Sequence, residues 1–147
     1  MNLLSQRALL AVAAVVDVAI HARPSPVAAK ALAARHDLPP RHLETILQTL
    51  VRTGILKGVR GPRGGYELAR ERRRISMGEI VRAALSDGDE KSKAGSLLVE
   101  SVVEPLVADA SEAFLTALDA ISVDDLCRRS EKKEVFDAVD ARSDFTI

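Results

Sequence analysis

Arg60 and Arg63 bracket Gly61-Pro62, and Gly58, Gly61, Gly64 and Gly65 fall in the same short stretch. Guanidinium groups held at the tip of a tight turn suit one kind of chemistry: charge-assisted hydrogen bonds to phosphate, or insertion into a narrow, electronegative groove. The glycines bury little and carry a high chain-entropy cost, so the turn reads as built for an external partner, with backbone able to approach phosphates closely. Just upstream, Arg41, His42, Glu44, Thr45 and Gln48 share the polar face of a helical pattern whose apolar face is Leu43, Ile46, Leu47, Leu50 and Val51. These are donor and acceptor types that read base edges in a major groove, with Glu44 suited to accept from a cytosine amine. Ordinary solvated side chains remain the alternative for Arg41, Glu44 and Gln48. Lys57, Arg70, Arg72, Arg73 and Arg74 would add flanking phosphate contacts.

Such groups need a scaffold, and the sequence spells one out. Apolar residues at three- and four-residue steps predict a helix over 5–22 with Ser5 as its N-cap. Pro24-Ser25-Pro26 ends it, and 27–36 reads as a short helix with Ala28, Ala31 and Leu32 on one face. After Asp37-Leu38-Pro39-Pro40, a second helix runs from Pro40 to Thr53 and stops at Gly54. Ile55 and Val59, then Tyr66 and Leu68, supply two strands around the arginine turn. Helix, turn, helix, hairpin is the order of a winged helix-turn-helix, in a chain that is otherwise mainly α with one small β-hairpin.

Ser76 with Glu79 matches a capping box and opens a helix through Leu85, with Ile80, Val81 and Ala84 inward. Residues 86–96 form a polar loop. From Leu97 an apolar stripe follows (Leu98, Val102, Leu106, Ala110, Ala113, Ala117, Ile121), flanked by Val99, Val103, Val107, Phe114 and Leu118. It is wide for a lone surface helix and suggests a homodimer seam using Val102, Leu106, Ala110, Phe114, Ala117, Leu118 and Ile121. Packing onto the chain's own N-terminal helix is the alternative. Pro105 implies a kink near Glu104 or a fresh helix start. Ser122 to Asp125 caps a last short helix ending near Cys127. The domain plan is therefore 1–85 for the winged motif, 86–96 for the loop, 97–127 for the dimerisation helix and its cap, and 128–147 for a charged tail.

Composition narrows the partners. Net charge is zero, yet residues 1–74 carry 13 Lys and Arg against 5 Asp and Glu, whereas 75–147 carry 8 against 16. A basic half bearing the arginine turn implies that this half faces a polyanion. The single Cys127 excludes an internal disulfide framework and fits a reducing cytoplasm. As a thiol redox sensor it would rely on Arg128 and Arg129 to lower its pKa; an inert apolar role is the alternative. Leu9–Val16 is too short and too interrupted, by Asp17, to span a membrane. Catalysis is not expected: Gly61–Gly65 lacks the Gly-Lys-Ser/Thr ending of a phosphate loop, and one cysteine with His21, His36 and His42 makes neither a nucleophile-base set nor a metal-ligand spacing.

Together, Gly54-Ile55-Leu56 with Val59-Arg60-Gly61-Pro62, then Gly64-Gly65-Tyr66 and Leu68, framed by Leu43-Glu44, Ile46-Leu47 and Leu50 before and Ile75-Ser76 and Glu79-Ile80 after, resemble the Rrf-type (IscR-, NsrR- and CymR-like) family of bacterial winged-helix transcription regulators. The likeness covers about residues 1–127. It implies a homodimeric regulator, usually a repressor, on a two-fold-related duplex DNA operator, with Glu44 as the base-reading helix glutamate and Arg60 as the minor-groove wing arginine. Control by a protein co-regulator would also be in keeping with the family. Arg63 departs from the pattern, many members having glycine there. Many members also hold an iron-sulfur cluster on three cysteines between the helix after the wing and the dimerisation helix. Ser86–Glu104 contains none, and Ser101 stands near the last such position, so no cluster of that type is expected.

Overall fold

A computed structural model describes residues 3–86 and 96–136. Six α-helices and one antiparallel hairpin succeed one another: α1 (Gln6–His21), α2 (Ala29–His36), α3 (Pro40–Arg52), β1 (Leu56–Val59), β2 (Gly65–Leu68), α4 (Met77–Ser86), α5 (Glu104–Asp119) and α6 (Val123–Lys132). The architecture is mainly α with a small two-stranded sheet, as the periodicity predicts. The polar loop expected at 86–96 falls, for 87–95, outside the described residues.

α1 is the hub. Ser5 caps it by accepting from the Ala8 amide at 3.2 Å, and Ala8, Ala11, Val15 and Val18 are fully enclosed. Leu32, Leu43, Ile46, Leu47, Ile55, Leu56, Ile75, Ile80 and Val81 complete the core, built almost without aromatics. The apolar run from Leu9 to Val16 thus lies in the central helix of the fold, and among the described residues no helix is long and apolar enough to cross a membrane.

Local signals behave as their chemistry dictates. At the end of α3 the Ile55 amide donates to the Leu50 carbonyl at 3.0 Å and the Gly54 amide to that of Val51 at 3.1 Å. This is a Schellman closure, with Gly54 at φ 78° where a side chain would be strained. Ser76 and Glu79 cap each other's amides, each at 3.0 Å, and Ser122 and Asp125 do the same at the start of α6. The two caps lie side by side. Ser76 and Ser122 form an antiparallel bridge, flanked by Met77 N–H to Ile121 O at 2.7 Å and Val123 N–H to Ile75 O at 2.8 Å.

Three expectations change. α2 begins only at Ala29 and buries Leu32 and Ala33 rather than Ala28 and Ala31. The cause is Val27, which is drawn out of the helix into a bridge with Tyr66, with hydrogen bonds of 3.0 and 2.8 Å. Val51 stays exposed, while Thr49 takes an inner position and its hydroxyl accepts from Arg7 Nη2 at 3.2 Å. α6 does not stop near Cys127 but runs to Lys132 and packs on α1. Residues 128–132, expected as loose tail, are therefore helical.

Pro105 stands in the first turn of α5, which begins at Glu104, the second of its two expected outcomes. A π-helical turn over Val99–Val103 feeds directly into α5, with the Glu104 amide donating to the Val99 carbonyl. A wider turn removes the clash of the proline ring with the preceding turn and absorbs its missing N–H. α5 packs on α4, not chiefly on α1.

Candidate nucleic-acid interface

α2 and α3 are joined by Asp37–Pro39, with Asp37 in the left-handed region at φ 52°. α3 turns its apolar side inward and leaves Arg41, His42, Glu44, Thr45 and Gln48 exposed together, as its period requires. Thr45 also donates its hydroxyl to the Arg41 carbonyl at 3.3 Å, which leaves oxygen lone pairs available to a partner.

The Schellman turn passes the chain from α3 straight into β1. The hairpin pairs Leu56 with Leu68, Lys57 with Glu67, Gly58 with Tyr66 and Val59 with Gly65. Its tip, residues 60–63, is exposed throughout, and Gly61 adopts φ 118° while its carbonyl accepts from the Gly64 amide at 2.9 Å. Arg60 and Arg63 therefore project from a closed turn, and among the described residues neither makes an ion pair. Lys57 is exposed as well, with Glu67 as its cross-strand neighbour.

Two of the glycines have an internal reason to be there. A Cβ on Gly65 would strike the Val27 carbonyl, and one on Gly64 the Val59 carbonyl. Both permit close backbone contact within the wing, so Val27 can serve as a third edge that fixes the hairpin to the start of α2. Open approach to phosphate is thus not the sole role for the glycines at 64 and 65.

The arginines after the wing are differently placed. Arg70 Nη2 lies 3.1 Å from Glu79, Arg72 Nε 2.8 Å from Asp124, Arg73 Nε 3.8 Å from Asp124 and Arg74 Nε 3.6 Å from Glu71. Arg128 closes on Asp124 from the other side. Asp124 is itself buried and its carboxyl is held below the ordinary range chiefly by the Arg128 hydrogen bond, against the opposing effect of burial. Four expected phosphate contacts are thus engaged by carboxylates, and two of them, Arg72 and Arg73, join Arg128 in anchoring the start of α6.

Sequence reasoning missed the group that sets α2. Asp17 is fully buried in α1; Arg35 donates to both of its oxygens, Nε at 2.8 Å and Nη2 at 2.6 Å, and His36 Nε2 lies 2.7 Å away. His21 Nδ1 sits 2.9 Å from the Asp17 carbonyl and 3.3 Å from its carboxylate. Burial pushes the Asp17 carboxyl up, but Arg35 and the two histidines outweigh it, leaving the pKa lowered. A charge at the centre of an apolar helix pattern was the available signal, because such a group is buried only when paired. Cys127 is also fully buried, and burial pushes its thiol up despite Arg72. Arg128, expected to lower it, is directed to Asp124 instead.

Of the proposed dimer seam, Val102, Leu106, Ala110 and Ala117 are exposed, whereas Phe114, Leu118 and Ile121 are half-buried. Leu118 packs against the chain's own core. Arg82 reaches across from α4 to Glu112 at 3.0 Å and Asp119 at 2.9 Å, holding the same end of α5.

Helix-turn-helix, a hairpin wing fixed by a third edge, and a long trailing helix define a winged helix-turn-helix protein with an attached α-helical arm. The chain belongs to the Rrf2 family, described as iron-dependent transcriptional regulators, whose pattern matches residues 4–129. It is a family of regulators, not of enzymes. The chain is 36% identical over 131 residues to slr0846 of Synechocystis sp., assigned as an HTH-type transcriptional regulator, across 84% of this chain and 86% of that one. It is 30% identical over 145 residues to the HTH-type transcriptional regulator IscR of Xenorhabdus nematophila, across 94% and 87%. Among solved structures it resembles T. potens IscR, with TM-score 0.69, 30% identity and 90% of each chain covered. It shares its fold with CymR, the global cysteine regulator of B. subtilis, at TM-score 0.66 and 22% identity over 88% and 98%.

Proposed function

We propose that this protein is a homodimeric, sequence-specific DNA-binding repressor that occupies a two-fold-related operator. The observation that carries this reading is the exposed polar face of α3 running directly into a closed wing whose tip holds Arg60 and Arg63 without an acidic partner among the described residues. Arg41, His42, Glu44, Thr45 and Gln48 enter the major groove; Arg60 and Arg63 reach the adjacent minor groove or its phosphates; Lys57 and the backbone at Gly61, Pro62 and Gly64 flank them. Dimerisation is supported by the run of exposed apolar side chains Leu97, Leu98, Val102, Val103, Leu106 and Val107, large enough to call for a cover. A second copy gives the two-fold spacing that a paired operator needs.

The signal differs from a thiolate-held cluster. Iron-sulfur clusters are held by several thiolates, and this chain has one cysteine, buried on α6 beside Arg72. Among the described residues no three His, Cys, Asp or Glu side chains are grouped to hold a metal. The residues do not fit a family-type cluster.

Mapping the occupied sites on chromosomal DNA, then titrating the full chain onto those duplexes at several salt concentrations, tests the central reading. Affinity should fall steeply as salt rises, and a flat response would refute DNA binding through these cations. Light scattering at micromolar concentration should give twice the chain mass; a clean monomer removes the dimer. Deleting the gene should raise expression beside the mapped sites, whereas a fall would make the protein an activator.

A further inference from the structure

A pocket of about 400 Å³ opens between α1, α6 and the residues that follow it. Val16, Leu126, Val135 and Phe136 give it apolar walls, Arg129 and Lys133 lie at its edge, and among the described residues no carboxylate lines it. That is unusual in a half of the chain with an excess of acidic residues. Among the described residues neither Arg129 nor Lys133 makes an ion pair. An apolar cleft of this size edged by two cations is complementary to a short hydrocarbon chain with an anionic head.

We propose that this pocket is an effector site for a small aliphatic carboxylate, its hydrocarbon against Val16, Leu126 and Phe136 and its carboxylate at Arg129 and Lys133. The Phe136 ring stands edge-on to His21 at 4.9 Å and to His36, itself a pocket wall, at 6.3 Å. Those imidazoles and Arg35 surround the buried Asp17 that fixes the end of α2. An occupant that shifts Phe136 therefore acts on the anchor of the first helix of the DNA-reading motif. The effect on DNA rests on the function proposed above; binding of the carboxylate does not.

Calorimetric titration of the full chain with octanoate should show saturable binding with Kd below about 1 mM. R129Q/K133Q, two exposed substitutions, should weaken octanoate about tenfold and leave 1-octanol unchanged. Ala13→Leu, filling the pocket from α1, should abolish both, with circular dichroism melts reporting its fold. Absence of saturable binding to the wild-type chain, or equal octanoate affinity in R129Q/K133Q, overturns the site. Equal affinity for operator DNA with and without saturating octanoate overturns the effector role. Octanoate binding to a chain that binds no duplex DNA leaves the site standing and refutes the proposed function instead.

Discussion

The arginines of the N-terminal half fall into two populations only a few residues apart. Arg60 and Arg63 at the wing tip have no ion pair among the described residues, whereas Arg70, Arg72, Arg73 and Arg74 just behind the wing, and Arg35 in α2, are matched to carboxylates. A count of charges treats them alike and predicts one broad cationic surface. Geometry separates a small available set, presented by a turn, from a larger set that holds elements together. Net charge sets the long-range field, but a phosphate competes for a guanidinium only against whatever already binds it.

The sharpest way to break this division is at Asp17, where the internal pairing is deepest. Asp17→Asn leaves Arg35 and His36 without their buried counter-charge and should destabilise the chain by about 3–5 kcal/mol in urea unfolding. The pH dependence has a defined sign. Because the Asp17 pKa is lowered in the folded state from its ordinary value of 3.8, the wild type holds this stabilisation fully above that value and loses it as pH falls through the folded pKa. Asp17→Asn should therefore show less loss of stability than wild type between neutral pH and the acid limit. An identical pH profile in the two proteins would mean that the pairing contributes nothing.

A smaller effect contrasts the two arginine populations directly. Arg60→Ala should weaken operator binding by about 1–3 kcal/mol and lower the salt slope by about 1. Arg73→Ala should leave affinity within about twofold and the slope unchanged, since the exposed Arg73 already faces Asp124. Fluorescence anisotropy at four salt concentrations measures both quantities. Equal losses in the two variants would show that paired arginines turn to the DNA and that the division is an artefact of the free chain.

What the sequence discloses and what it hides follow the same boundary. Helices α1, α3 and α4, the stop at Gly54 and the Ser76/Glu79 box are written in residues a few positions apart, where periodicity and capping chemistry act. Val27 and Tyr66 lie far apart in the chain, and nothing local marks Val27 as a strand edge rather than the first turn of α2. Likewise Asp124 reads as a first-turn helix acid, which it is, and gives no hint that Arg72 and Arg73 converge on it. The exposed face of α3 and the wing tip are legible because their positions follow from helix period and turn type. The pairing that removes Arg70 to Arg74 from the available surface, and the Asp17 cluster that sets α2, depend on packing between distant elements.

The glycines of the wing offer the smallest expected effect and the finest test of the same distinction. Gly58 has no heavy atom near the place a Cβ would occupy and no left-handed φ, whereas Gly65 lies against the Val27 carbonyl. Gly58→Ala should accordingly leave stability unchanged or raise it by up to about 1 kcal/mol, through the reduced freedom of the unfolded chain. Gly65→Ala must push the hairpin from Val27, loosening the wing from α2, and should lower both thermal stability and operator affinity. If Gly58→Ala weakens DNA binding while its melting temperature holds, the backbone at 58 approaches phosphate and belongs with Arg60 in the available set. If it changes neither, then of these two glycines only Gly65 is needed, and it is needed to fix the tip rather than to touch the DNA.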